Sequence, residues 1–90
     1  MIRVKEFEDK YSELIQTVES ELDLVNKGLK EKSNQQLKSI ISDLNKMNAI
    51  RDSNQFLPRY PRFIVDSWDF SDLLGIELLK FYELYKKIKN

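Results

Sequence analysis

The chain of 90 residues contains no cysteine and no histidine, only two glycines and two prolines, and no surplus of charge. Each absence removes a class of function. Without cysteine there can be no disulfide, no thiolate nucleophile and no cysteine-ligated zinc. Without histidine there is no Ser-His pair, no imidazole general base and no His-based metal or diiron site. Gly28 and Gly75 are the only glycines, so neither a G-x-x-x-x-G-K-[ST] nor a G-x-G-x-x-G phosphate loop can be built. A turn-rich β-sandwich would also need far more glycine and proline than this.

Fifteen basic and fifteen acidic residues leave a formal net charge of zero. A dedicated nucleic-acid binder carries a basic surplus to displace counterions from phosphates, so nucleic acid is an unlikely partner. Residues 1–32 hold 6 positive and 8 negative charges, and residues 73–90 hold 4 and 2. The C-terminal surplus comes from Lys80, Lys86, Lys87 and Lys89. It reads first as cations meeting the negative pole of a helix, and only then as a weak phosphate-binding surface. The N-terminus, Met-Ile-Arg-Val-Lys-Glu-Phe-Glu, lacks the apolar stretch of a signal peptide. No apolar run approaches the roughly 18 residues of a membrane span. The expectation is a cytoplasmic protein without a membrane role, and the abundant Lys, Asn and Ile suit an AT-rich bacterial or phage genome.

What is present is helical pattern. Apolar content of 41% with 33% charged residues is normal for a globular helical domain and too apolar for disorder. Val4, Phe7, Tyr11, Leu14, Val18, Leu22, Val25 and Leu29 recur every three or four residues, a continuous stripe that Ile15 widens. Two successive steps of four around Val18 break a strict heptad and favour a straight helix. Gly28 is placed to end it in a Schellman stop with Leu24 and Leu29 as the hydrophobic pair, the alternative being continuation to about Glu31. Ser33-Asn34-Gln35-Gln36 fits the S-x-x-Q capping box of a second helix, with Gln36 reaching back to the Ser33 amide. Leu37, Ile40, Ile41, Leu44 and Met47 form its apolar face, Lys38, Ser42, Asp43, Asn45 and Lys46 lie largely opposite, and Asp52-Ser53-Asn54 ends it. A last helix carries Leu74, Leu78, Phe81, Tyr85 and Ile88, broadened by Leu73, Ile76, Leu79, Tyr82 and Leu84. It is apolar around more than half its girth, so it either inserts between other elements or offers a second face to another chain. Gly75 costs this helix about 1 kcal/mol against alanine, which makes sense if a neighbour packs closely there. Asp69 or Asp72 is positioned as its N-cap.

The expected architecture is all-α: a small antiparallel three-helix bundle in one domain, residues 1–90, with helices at roughly 3–28, 33–51 and 70–89. Between the last two lies Phe-Leu-Pro-Arg-Tyr-Pro-Arg-Phe-Ile-Val-Asp-Ser-Trp-Asp-Phe-Ser-Asp, residues 56–72, which holds five of the ten aromatics and both prolines. This irregular segment is expected to pack over the bundle. Pro61 can begin a short fourth helix within 60–68. Phe63-Ile64-Val65 could instead be a strand, whose only candidate partner is Ile2-Arg3-Val4.

Asp66, Asp69 and Asp72, three apart, could hold Mg²⁺ through oxygen if helical. The structural reading is stronger, with one aspartate capping a helix and Asp66 pairing with Arg59 or Arg62. No cofactor or metal is expected, and no enzymatic activity. Phe63, Trp68 and Phe70 read as a lid on the core. Trp68, Tyr60, Arg59 and Arg62 are also the residue types that dominate binding hot spots, and proline holds residues 56–61 partly extended. Phe56, Arg59, Tyr60, Arg62 and Trp68 are therefore the candidate contact residues for another protein. The chain carries no family motif. What remains is a non-enzymatic helical protein that binds another protein, as an adaptor or an immunity- or antitoxin-type inhibitor. A structural homo-oligomer, beginning with a homodimer, is the alternative, and weak nucleic-acid binding through the C-terminal lysines stands third.

Overall fold

The computed structural model describes residues 4–69 and 71–88. The expected all-α fold is present, with four helices: α1 (Val4–Asn26), α2 (Asn34–Ile50), α3 (Tyr60–Ser67) and α4 (Leu73–Lys86). Among the described residues there is no strand, and Phe63-Ile64-Val65 lies within α3. Ile2, Arg3, Phe70 and Lys89 lie outside the described residues, so the strand partner, the core role of Phe70 and one C-terminal lysine stay expectations.

Each boundary has a local cause. Gly28 adopts φ +76°, and the Leu29 and Gly28 amides donate to the Leu24 and Val25 carbonyls at 2.9 and 3.0 Å. That is the Schellman hydrogen-bond pair, and it stops α1 short of Glu31. Leu29 is nonetheless exposed, so here the hydrogen bonds and the left-handed glycine make the stop. The Ser33 hydroxyl accepts from the Gln36 amide at 3.1 Å and starts α2. Arg51, at φ 52°, closes α2 by donating its amide to the Met47 carbonyl. Pro61 sits in the first turn of α3, where its missing N–H is no loss. Of the two aspartates, Asp72 caps α4, accepting from the Gly75 amide at 3.2 Å, so that helix begins at 73 rather than 70.

The helices close a ring in which α1 packs on α2, α2 on α3, α3 on α4 and α4 on α1. The contacts set every neighbour antiparallel. Across α1 and α2, Glu8 meets Arg51, Tyr11 meets Asn45 and Asn26 meets Asn34. Between α1 and α4, Phe7 stacks on Phe81 with ring centroids 4.8 Å apart and tilts against Tyr85. The long dimension of 41 Å matches α1, whose 23 residues span about 35 Å. The expected three-helix bundle thus has a fourth corner, filled by the short α3 and the 51–59 connection before it. Phe7, Val18, Leu37, Ile40, Leu44, Met47, Leu78 and Tyr85 are fully buried in its centre.

One residue of α2 lies where the sequence pattern did not put it. Asp43 is not on the solvated face; it is only 7% exposed. Its carboxylate accepts from the backbone amides of Arg59 at 2.8 Å and Tyr60 at 3.1 Å. The first turn of α3 has no side-chain cap of its own, so an acid on the neighbouring helix satisfies these donors at the positive end of the dipole.

Two substitutions test this remote cap. Asp43→Ala leaves two buried amides unsatisfied and is expected to cost about 2–3 kcal/mol of unfolding free energy. Asp43→Asn keeps a carbonyl acceptor and should lose about half as much. Urea titrations followed by circular dichroism measure both; equal stability of Asp43→Ala and wild type would refute the role.

Candidate functional site

The aromatic segment divides by direction. Tyr60 is fully buried, and its hydroxyl donates to the Leu78 carbonyl at 2.8 Å. Burial, then the Asp43 carboxylate and the Tyr82 phenol, hold the Tyr60 phenol far above its ordinary pKa. It has no surface with which to meet a partner, so it leaves the candidate set. Phe56 is half-buried against the core, and its carbonyl accepts from the Tyr85 hydroxyl at 2.7 Å. The same hydroxyl lies 3.0 Å from the Asp52 carbonyl, so its single proton is shared between the two ends of the 52–56 turn, which it ties to α4. Lys46 lies 5.7 Å from the Phe56 ring. Arg59 and Arg62 are exposed. Among the described residues, neither forms the expected ion pair with Asp66, which is also exposed.

Trp68 joins two settings. Its Nε1 donates to Gln36 Oε1 at 2.9 Å, so Gln36 serves α3 rather than reaching back to Ser33. The Lys32 ammonium lies 5.2 Å from the Trp68 ring. Lys32 also pairs with Glu21 of α1 at 3.2 Å and with Asp72, the cap of α4, at 2.8 Å. One lysine in the α1–α2 connection thus reaches α1, α3 and α4. It explains why Glu21 is only 8% exposed although it stands beside the apolar stripe: Lys30 and Lys32 both pair with it. Burial alone would lower the Lys32 ammonium, but hydrogen bonds to Asp72 and Glu21 outweigh that and raise it. Burial likewise acts to raise Asp72, and the Lys32 and Gly75 hydrogen bonds overcome it and hold the carboxyl below its usual range. Lys32, Trp68 and Asp72 line a cleft of about 310 Å³ with Ser33, Gln36 and Asp69.

Two of the three aspartates considered for a cation have other work. Asp69 accepts from the Ser71 hydroxyl and amide at 2.7 and 2.8 Å, which lowers its pKa, and Asp72 caps α4. Among the described residues no group of three or more acidic side chains comes together to hold a metal ion. No described helix is long and apolar enough to cross a membrane.

The most apolar open surface lies on the outer side of α3 and α4. Gly75 creates it. A Cβ there would stand 3.2 Å from Trp68 Cε3 and 3.3 Å from Ile64 Cγ2, so the glycine lets α3 lie close on α4, as its position in the helix suggested. Beside that contact, Pro61, Val65, Ile76, Leu79 and Tyr82 line an open groove of about 480 Å³, with Lys80 and Glu83 at its edge. Val65 is 70% exposed, and Ile76, Leu79 and Tyr82 are partly buried. A smaller hollow of about 150 Å³ continues past Val65 and Ile76 to Trp68 and Asp69. Of the five candidate contact residues, Trp68 lines the smaller hollow, Arg59 and Arg62 are exposed but line neither, Phe56 is half-buried and Tyr60 is fully buried. The groove's own apolar residues were missed, although the excess apolar girth of the last helix was their signal. Compared with protein-family models, curated proteins and solved structures, the chain matches none.

Two measurements examine this arrangement. Gly75→Ala gains helix propensity worth about 1 kcal/mol but forces apart Trp68 and Ile64, an overpacking cost of about 1–3 kcal/mol. The expected net result is destabilisation of about 1 kcal/mol with an altered Trp68 emission spectrum. In Lys32→Met the effect depends on pH. A carboxyl held low in the folded state stabilises above its unfolded pKa of about 3.9 and loses that contribution as pH falls through its folded value. Wild type should therefore exceed Lys32→Met in stability at neutral pH, and denaturation midpoints should show the gap narrowing below about pH 4.

Proposed function

We propose that this chain is a small non-enzymatic binding protein, an adaptor or an immunity- or antitoxin-type inhibitor, that recognises another protein through the α3–α4 groove. The carrying observation is the groove itself: Pro61, Val65, Ile76, Leu79 and Tyr82 form a continuous apolar strip. In α4, Leu74, Leu78, Phe81 and Tyr85 fill the core, and Ile76, Leu79 and Tyr82, each partly buried, line the groove. Contiguous apolar surface rimmed by charge is the usual mark of a contact site. Rigid aromatic and arginine side chains beside it, Tyr82, Trp68 and Arg62, supply hot-spot chemistry. The absence of histidine and cysteine supports the non-enzymatic part of the reading.

Val65→Glu places a charge in the middle of the strip at a site exposed enough that stability should change by no more than about 0.5 kcal/mol. A protein retained by the wild-type chain on an affinity matrix should be lost from the variant. Retention of the same proteins by both chains would refute the groove as the site.

A further inference from the structure

We propose that residues 57–68 form a strap, which leaves and rejoins the bundle as one cooperative unit while α1, α2 and α4 stay folded. The three long helices make a frame without it, because α1 packs on both α2 and α4. To the buried core α3 contributes only Tyr60 and Ile64.

Groups outside the strap fix both of its ends. Just before it, the Tyr85 hydroxyl of α4 holds the Phe56 carbonyl at 2.7 Å. Just after it, Asp72 accepts from the Gly75 amide and pairs with Lys32 at 2.8 Å. Between these anchors, among the described residues, the hydrogen bonds to the frame lie at the two ends of α3. At the leading end, the Arg59 and Tyr60 amides donate to Asp43 and the Tyr60 hydroxyl to the Leu78 carbonyl. At the trailing end, the Trp68 indole donates to Gln36. Hydrogen bonds are short-ranged, so a shift of about 1 Å breaks them. A helix of eight residues does not keep its form once they are gone. Docking and helix formation are therefore coupled, and the strap opens whole rather than residue by residue. Because its ends stay tied, the lifted strap is a closed loop, and little closure entropy opposes its return.

Half of the groove moves with the strap. Pro61 and Val65 belong to it, whereas Ile76, Leu79 and Tyr82 belong to the frame. Lifting also takes Ile64 and Trp68 away from Gly75, so the groove exists only while the strap is docked. The strap follows from the fold alone. Its consequence, that docking switches the contact surface on and off, rests on the reading of the groove as a binding site.

Amide hydrogen exchange of the wild-type chain in low urea decides it. The Arg59 and Tyr60 amides on Asp43, and the Trp68 amide on the Ile64 carbonyl, sit at opposite ends of α3. They should share one opening equilibrium constant, about 100-fold or more above that of amides in the middle of α1, with a shallower dependence on urea. Asp43→Ala breaks only the leading end, yet it should speed exchange of the distant Trp68 amide about tenfold or more. A Trp68 amide that follows the global unfolding of α1 would overturn the strap. Opening constants that differ between residues 59–60 and residue 68, or Trp68 exchange that Asp43→Ala leaves unchanged, would overturn it too. The wild-type comparison stands by itself should Asp43→Ala unfold. Val65-dependent capture of a protein by a chain whose strap follows global unfolding would keep the groove as the site and remove the strap. A separate strap opening without any such capture would keep the strap and remove the binding role of the groove.

Discussion

The carboxylate of Asp43 accepts two backbone amides from a helix it does not belong to, and the placement of α3 follows from that contact. α3 is short, begins without a side-chain cap and has too few turns to be stable by itself. With Asp43 at its positive end it starts at Tyr60, which places that phenol under α4, within reach of the Leu78 carbonyl. From there the eight-residue helix runs to Trp68, where Gln36 of α2 and Lys32 hold the indole. Two α2 side chains, Asp43 and Gln36, one near each end of α3, thus set the level at which it crosses α4.

That level meets the one place where α4 can accept it. Gly75 has no side chain, and the space is taken by Trp68 and Ile64. Because α3 is drawn in so closely, its inner face completes the core while Pro61 and Val65 stay outside beside Ile76, Leu79 and Tyr82. The groove is therefore a product of the packing that fills the fourth corner of the bundle. Lys32 joins α1, α3 and α4 near the same end, through Glu21, Trp68 and Asp72. Its partners are partly sheltered, so each pair loses less to solvent screening than an exposed one.

Much of the frame was legible in the residues. The spacing of Phe7, Leu14 and Val18 marks the buried face of α1, and Gly28 and Ser33 mark helix ends, because capping and periodicity are local properties, although the cap of α4 stayed open between Asp69 and Asp72. Gly75 announced a close neighbour through its cost to the helix. The site was less legible. Tyr60 and Arg62 are two residues apart and similar in hot-spot character, yet one is the floor of the core and the other is on the surface. Which of them points inward depends on where α3 begins, and Asp43, far away in the chain, decides that. Asp43 read as a solvated acid because its partners, the amides at 59–60, come from another element.

The amino-acid sequence by itself determined that this chain is helical, where its long helices start and stop, and which chemistry it cannot perform. Those properties depend on hydrogen bonds, side-chain spacing and composition within a few residues of one another. Only the tertiary structure decided that residues 60–67 fill a fourth corner, that two acids are buried, and that an apolar strip lies open between α3 and α4. Each of these depends on contacts between residues far apart in the chain, where burial and satisfied hydrogen bonds outweigh local preference.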